Sequence, residues 1–476
     1  MVRRGKAAGR CGSRATLMGV RNSLSALPAG RVDGHAPSPC HTWFHGFEFP
    51  FCDDERVTTS TAEALPAMNW RDPFRVRSFR FQWPADLATS WAFEMESIVL
   101  GWFILVESGS VMMLVVFASL QYLGALVSPL FGVVGDRFGY RRMLYLSRAL
   151  YAALAACFML LAWLNALTPV TVLLMAALAG VLRPSDMMMR NALIAQTLPP
   201  RHLLGALGIS RITSDSARIA GALAGAGVVA WLGMTWAYVL ITALYTLSFL
   251  LSRGVSDVPA TPTAAVRVSP VRDLQLAFGY VWTRPVLMAA MALAFLVNLL
   301  AFPFSLGLLP YVAKNIYLTN QTGLGWLGAS FAFGGLVGSV LLSSHRYQFR
   351  AAQTMVVAGA VWFLVDVMFA FSTHLFMGMA LLWVAGLAQS LSMTPLAAVM
   401  LRVTEPAYRG RVMGMRMLAI WGLPLGLLLS GPLIERFGYT ATAGLYSALG
   451  LLLTGAMAVY WRQHIWAKDA PANAPL

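Results

Sequence analysis

Long apolar stretches recur along this chain at nearly regular intervals, separated by short segments rich in Gly, Pro, Arg and Asp. Each stretch has the roughly 20 residues that a helix needs to cross the hydrocarbon core of a bilayer. Several are longer, which predicts helices that are tilted or interrupted by Gly and Pro. The pattern predicts twelve membrane-spanning helices, at roughly 81–106, 110–134, 143–165, 168–192, 205–231, 234–252, 286–312, 322–344, 352–372, 375–400, 412–433 and 438–461.

The composition supports an all-α membrane protein. Of the 476 residues, 58% are hydrophobic and 12% are charged, and the mean hydropathy is +0.65. Soluble domains contain about 25% charged residues, so this chain is far too apolar for that class. The sequence contains no Gly-x-Ser-x-Gly elbow and no Walker motif, so we expect neither an enzyme nor a nucleotide-driven pump. Neither a metal site nor a cofactor is expected.

The net charge of +15 follows the predicted membrane topology. Of the 27 Lys and Arg residues after position 68, only Lys314 and Arg436 fall in outward-facing loops when the amino end is placed inside. This positive-inside bias predicts that both termini are cytoplasmic and that the protein resides in the plasma membrane, which is the inner membrane in a bacterium. It also argues against a nucleic-acid partner.

The spans divide the chain into two sets of six. The first 67 residues are polar, lack a span and are predicted to be disordered. They are absent from the protein altogether if translation starts at Met68. The linker between the two sets contains a predicted surface-lying helix in its second part. The predicted parts are the extension 1–67, a first six-helix bundle 68–252, a cytoplasmic linker 253–285, a second six-helix bundle 286–461 and a cytoplasmic tail 462–476.

A charged, glycine-punctuated hairpin joins the second and third spans, with the sequence Gly-Val-Val-Gly-Asp-Arg-Phe-Gly-Tyr-Arg-Arg at 132–142. This spacing resembles the corresponding loop of the major facilitator superfamily of secondary transporters. The resemblance implies a fold of two six-helix bundles, with substrate bound near the midplane and exposed alternately to each side. It also implies that the hairpin is a conformational latch that holds the outward-open state. The predicted latch residues are Gly132, Asp136, Arg137, Gly139, Arg141 and Arg142.

The segment after the tenth span resembles one particular branch of this superfamily. Arg409, Gly410 and Arg411 resemble a motif of the branch that contains the enterobactin exporter and the macrolide-efflux transporters, which implies efflux. One departure concerns the fifth span, where many efflux members carry a Gly-Pro-x-x-Gly-Gly kink. Here Ala222 stands where Pro is expected, which weakens the case for a drug/proton antiporter specifically.

Acidic and basic residues inside the spans are candidates for ion coupling, because a charge at bilayer depth needs a partner or a cavity. On the first span, Asp86 and Glu94 share an arc of about 80° with Ser90 and Ser97. We predict that Glu94 carries the proton, with Asp86 as a second candidate and Arg218 of the fifth span as counter-charge. A purely structural network of ion pairs is the alternative.

Polar side chains elsewhere in the spans are candidates for the substrate cavity. They are Ser90, Ser97, Asn298, Gln389 and Thr394. Polar residues at helix interfaces also serve as packing contacts, so this role remains open.

Together these features predict a secondary transporter that exports a small, largely apolar compound by proton antiport. The alternatives are a metabolite or lysolipid uniporter or importer of the same fold, and a transport-inactive membrane sensor. The expected partners are a small-molecule substrate, protons and the lipid bilayer. The sequence is compatible with a monomer and leaves the oligomeric state open.

Overall fold

The structure is a computed structural model, and nearly every residue that it describes is helical. No strand occurs in these parts of the chain, which belong to one compact unit within 65–476. The described ranges are 72–125, 138–256, 270–343, 350–405 and 408–466. Three predicted features lie outside them: the extension 1–67, the latch residues Gly132, Asp136 and Arg137, and most of the tail.

Among its described residues the first half contains five α-helices, and the fifth supplies two spans. Gly233 interrupts that helix with a φ of 83°, so its two limbs, 200–232 and 234–252, run in different directions. The helices are α1 Arg77–Ser108, α2 Val111–Leu120, α3 Tyr140–Trp163, α4 Pro169–Thr197 and α5 Pro200–Ser252.

The second half begins with the linker helix and continues with the remaining spans. Its helices are α6 Pro270–Trp282, α7 Pro285–Ile316, α8 Gln321–Ser343, α9 Ala351–Ala370, α10 Leu375–Val403, α11 Arg409–Ala419, α12 Gly422–Phe437, α13 Tyr439–Tyr460 and the short α14 Arg462–Ile465.

The described helices account for the twelve predicted spans. Ten helical segments are long and apolar enough to cross a membrane, and one of them is the α5 helix that Gly233 divides into two spans. The short apolar helix α2 is the described part of the second span. The predicted all-α, twelve-helix architecture is therefore confirmed.

The eleventh span differs from the single helix predicted at 412–433, because α11 ends at Ala419 and α12 begins at Gly422. Pro424 lacks the N–H that would bond to the carbonyl of Ile420, so the regular ladder cannot continue through this point. The helix of the eleventh span is consequently interrupted near its middle.

The seventh span is also irregular. Within α7 the backbone adopts π-helical geometry at Val297–Ala301, Pro303–Gly307 and Val312–Ile316. Pro303 and Pro310 each remove one hydrogen-bond donor, which favours the wider turns. π-helical turns are rare and often mark functional positions. We therefore expect α7 to be a helix of the second half that can change its backbone geometry.

The linker helix α6 lies on the second half. Its Tyr280 ring stacks on Tyr408 with the centroids 4.2 Å apart, and the Arg284 Nη2 lies 2.6 Å from the Glu405 Oε1. Ala277 is buried while Trp282 is exposed, so α6 has one packed and one open face. We call the end of the bundle that carries α6 and the start of α1 the linker end, and the other the opposite end.

The two halves pack against each other at the opposite end. Gly325 of α8 lies against Ala226 of α5, and Gly431 of α12 lies against Met112 of α2. The Lys314 Nζ of α7 donates a hydrogen bond of 3.1 Å to the carbonyl of Leu105, in the last turn of α1. Cations are favoured at helix carboxyl ends, so this contact stabilises the packed arrangement.

Candidate functional site

The candidate site is a group of ion pairs around α1. This helix carries three acidic residues at bilayer depth, Asp86, Glu94 and Glu96, and each faces a different arginine. The arginines come from α3, α4 and α5, so α1 is the hub of the charged interior of the first half. The three pairs differ sharply in burial and distance, and therefore in what they can do.

Asp86 belongs to a tightly packed network. Its Oδ1 pairs with the Arg148 Nη2 and lies 3.5 Å from the Arg190 Nε, while the Arg190 Nη2 lies 2.5 Å from the Asp186 Oδ2. Arg148 is fully buried and also donates a hydrogen bond of 2.6 Å to the Ser252 hydroxyl. The network ties α1, α3, α4 and the end of α5 together, which favours a structural role for Asp86.

Ser90 is attached to the same network. The Arg190 Nη1 donates a hydrogen bond of 2.9 Å to the Ser90 Oγ, and the Gln82 amide donates to the Arg190 carbonyl at 3.0 Å. The predicted arc on α1 is therefore continuous with Arg190, although the sequence did not identify that arginine as its partner.

Glu94 and Arg218 form a looser and more accessible pair. The Arg218 Nε lies 3.7 Å from the Glu94 Oε1, and the two side chains are 42% and 34% exposed, respectively. Asp215, which is buried, lies 3.9 Å from Arg218 and 3.2 Å from Arg211. Asp215 therefore pairs with both arginines along one face of α5.

The Glu94–Arg218 pair lies beside the contact between the halves. Gly328 of α8 packs against Ile98 and Ala222, each four residues along its helix from a member of the pair. Residues four apart share one helix face, so both charges lie one turn from the point where α8 covers α1 and α5.

Small residues bring α1 and α5 together at this level. A β-carbon at Gly221 would lie 2.6 Å from the Glu94 Cβ, and one at Gly225 would lie 2.9 Å from the Met95 Cα. Gly221 and Gly225 thus allow close packing of the two helices, which brings the Arg218 side chain within reach of Glu94.

Glu96 and Arg183 form a third group that the sequence analysis did not propose as a site. The Tyr245 hydroxyl donates to the Glu96 Oε2 at 2.9 Å, and the Arg183 Nη2 lies 4.0 Å from the same oxygen. Arg183 also bonds to the Gln121 side-chain oxygen and lies over the Phe93 ring. The sequence feature that could have identified this group is Arg183, a lone arginine deep in a predicted span, because such a charge requires an acidic partner.

A small recess lies beside this third group, inside the first half. Its polar wall includes Ser97, whose hydroxyl donates to the Gln121 oxygen at 3.2 Å. The remainder of its wall is mainly apolar, with two aromatic rings. The residues that line it are Glu96, Ser97, Leu100, Phe117, Gln121, Phe158, Ala176, Ala179, Gly180 and Arg183.

The predicted cavity residues of the second half are separate from this cluster. The Asn298 side chain donates to the Ala294 carbonyl of its own helix at 2.8 Å. Gln389 is buried on α10, and Thr394 on the same helix is exposed. The structure therefore brings Ser90 and Ser97 to the charged interior, but it does not bring these three residues there.

The described parts of the two sequence motifs lie at the linker end. Gly139 precedes α3 with a φ of 85°, Arg142 is exposed, and Arg141 donates to the Arg253 carbonyl at 3.1 Å. The Arg409 Nε donates to the Thr404 carbonyl at 3.2 Å.

The other two residues of the second motif lie beside Arg409. The Arg411 guanidinium lies 5.5 Å from the Tyr408 ring centroid, and Gly410 has open space where a β-carbon would be. In the part of the chain that the structure describes, no group of three or more His, Cys, Asp or Glu residues could hold a metal ion.

Comparison with known proteins gives consistent results. The family model described as Major Facilitator Superfamily matches residues 87–317. The chain is 28% identical over 375 residues to the multidrug efflux pump Tap of Mycobacterium tuberculosis, covering 75% of this chain and 87% of the pump. It is 28% identical over 377 residues to Tap of Mycolicibacterium fortuitum, covering 75% and 89%, respectively.

The fold also has counterparts among solved structures. A transporter of the POT family, solved with 5-aminolevulinic acid, superposes with a TM-score of 0.66 at 11% identity, covering 82% of this chain and 96% of the other. At that identity the likeness concerns the fold alone.

Proposed function

Because this chain belongs to the major facilitator superfamily of membrane transporters, we propose that it exports a small, largely apolar compound in exchange for protons. The observation that carries the proposal is the accessible Glu94–Arg218 pair beside the contact between the halves. The efflux activity of the Tap relatives supports the direction of transport.

The pair has the properties that a proton-coupling site requires. At 3.7 Å the two charges attract each other without a short hydrogen bond, and both remain accessible. A proton on Glu94 removes that attraction and leaves Arg218 with Asp215 as its nearest acid, at 3.9 Å. Proton binding thus changes the force between α1 and α5 next to the surface that α8 covers. Asp86 remains the second candidate, although its two buried ion pairs favour a structural role.

The packing of the halves supports alternating access. Transport by rocking requires the contacts at the opposite end, including Lys314 on the Leu105 carbonyl, to part while the linker end closes. We assign the latch of that closed linker end to the hairpin, with Asp136 and Arg137 as its charged members. Arg409 and Arg411 lie at the same end and belong to the second half.

The site also favours one class of substrate. The small recess beside Ser97 is mostly apolar, with Phe117 and Phe158 in its wall. An apolar interior with few charges suits an amphiphile better than a sugar. We place the linker end in the cytoplasm, because the basic residues concentrate there, and the protein in the plasma membrane.

The test uses purified protein in proteoliposomes, with ethidium and Nile red as probes. We expect an imposed pH gradient to drive probe accumulation in the wild type, and we expect Glu94→Gln to abolish it. Glu107→Gln, an exposed acid on the same helix, is the matched control and retains transport. Proton-driven accumulation that survives Glu94→Gln would refute the assignment.

The same assay separates the rival functions. Probe flux that ignores the pH gradient would indicate a uniporter, and gradient-driven movement in the other direction would indicate an importer. Thermal stabilisation by a probe with no flux at all would indicate a sensor.

A further inference from the structure

Asp366 is a buried acid in the second half that the proposed function does not use. It lies on α9, is 1% exposed, and has no Lys, Arg or His within 4.0 Å among the described residues. This contrasts with Asp86, Glu94 and Glu96 of α1, each of which faces an arginine. A carboxyl group at this depth with no basic partner is costly in its ionised form.

The hydrogen bonds of Asp366 are incomplete in a specific way. The Ser305 hydroxyl donates to its Oδ1 at 2.8 Å, and its Oδ2 is buried without a hydrogen-bond partner. The Ser305 oxygen accepts from the Trp362 Nε1 at 3.1 Å, which orients the serine proton towards the carboxyl. One donor stabilises a carboxylate poorly, whereas a protonated carboxyl group carries no charge to compensate.

Phenol groups connect Asp366 with the opposite end of the bundle. Tyr439, at the start of α13, is buried with an unpartnered hydroxyl and interacts electrostatically with Asp366 and with Tyr317. Tyr317 follows the end of α7 in the turn at the opposite end, and the Tyr311 ring centroid of α7 lies 5.9 Å from that of Tyr439. Because hydroxyl groups both donate and accept, these phenols can relay a proton when their side chains turn towards one another.

We propose that Asp366 is a proton-binding site of the second half, filled from the opposite end of the bundle. A carboxylate oxygen takes up one proton from water through the phenol groups and forms an O–H bond, and the same bond breaks on release. The proton site stands on the geometry around Asp366; its use in coupling rests on the proposed function. The titratable groups that face it are Tyr439 of α13 and, beyond it, Tyr311 of α7 and Tyr317; none of them carries a positive charge.

The backbone of α7 provides the link to conformation. Ser305 lies in the π-helical segment Pro303–Gly307, so a return of that segment to α-helical geometry would rotate its hydroxyl away from Asp366. The carboxyl group would then lose the one hydrogen-bond donor that it has among the described residues. Proton occupancy of Asp366 and the shape of α7 therefore depend on each other.

The first arm of the test measures the proton directly. Infrared spectra of the purified wild type are expected to show a protonated-carboxyl C=O band that is absent in Asp366→Asn. Ser305→Ala removes the donor and is expected to shift the same band to higher frequency. Glu435→Gln, an exposed acid near the opposite end, leaves the band unchanged. A wild-type spectrum without a band sensitive to both substitutions overturns the proton site.

The second arm measures coupling. Asparagine keeps the shape and can accept from Ser305 but cannot titrate, so Asp366→Asn is expected to lose pH-gradient-driven ethidium accumulation at least tenfold while keeping ethidium counterflow. Unchanged gradient-driven accumulation shows that the proton never leaves Asp366 and overturns its role in coupling. The infrared arm does not require transport, so failure of the proposed function and failure of the proton site are distinguishable.

Discussion

Arg218 of α5 lies 3.7 Å from Glu94 of α1, and both side chains remain accessible at the level where α8 closes over the two helices. The pair therefore joins two of the helices of the first half that the second half touches. Its accessibility separates it from the buried pair of Asp86 and Arg148, which lies on the same helix α1.

Glu94 and Arg218 should matter for transport far more than for stability. Accessible ion pairs contribute about 0.2–1 kcal/mol, so Glu94→Gln and Arg218→Gln should each lower the free energy of unfolding by less than about 1 kcal/mol. Both should abolish pH-gradient-driven accumulation. Flux assays and denaturant unfolding of the same preparations check this prediction, and a variant that is inactive because it is unfolded would be recognised.

Asp86 should show the reverse behaviour. Removing one member of a buried ion pair leaves an uncompensated charge, so Asp86→Ala should destabilise the protein by about 3–5 kcal/mol. Glu94→Ala is the matched control on the same helix. Two results together would contradict this prediction. If the two alanine variants have equal unfolding free energies, and Asp86→Asn loses proton coupling while Glu94→Gln keeps it, then Asp86 is the proton carrier.

Gly325 should be required for closure of the opposite end. A β-carbon there would lie 2.6 Å from the Ala226 Cβ, so Gly325→Val should separate α8 from α5 and favour the conformation closed at the linker end. Gly227→Val is the control, because nothing lies within 4 Å of a β-carbon at that position. Spin labels on α5 and α8 at the opposite end should report a longer distance only in Gly325→Val.

The topology predicts which end faces the cytoplasm. In a cysteine-free background, Gln275→Cys on α6 and Leu318→Cys in the turn after α7 give exposed labels at the two ends. A membrane-impermeant maleimide added to intact cells should label only position 318. Labelling of position 275 under the same conditions would invert the proposed orientation.

The sequence predicted the number of spans and one ion pair for physical reasons that do not depend on tertiary detail. Apolar length identifies a span, and a charge at bilayer depth demands a partner, which is why Glu94 and Arg218 were anticipated together. The interruption at Gly233 also falls between two predicted spans.

Partner choice among several arginines could not be predicted in the same way. Whether Asp86 meets Arg148, Arg190 or another cation depends on the rotation and tilt of α3 and α4, which packing decides. The sequence did not predict the π-helical turns of α7 or the helix interruption in the eleventh span, for a similar reason. Pro303 and Pro424 permit several local geometries, and neighbouring helices select one of them.

The buried Arg148 has a consequence for how the chain enters the bilayer. An arginine near the centre of an inserting helix costs about 2.5–3.5 kcal/mol, and α3 alone offers no acid to offset it. Asp86 precedes it in the chain and forms its ion pair. The pairing therefore favours insertion of α3 while α1 is still beside it, so α1 lowers the cost of placing this arginine in the bilayer.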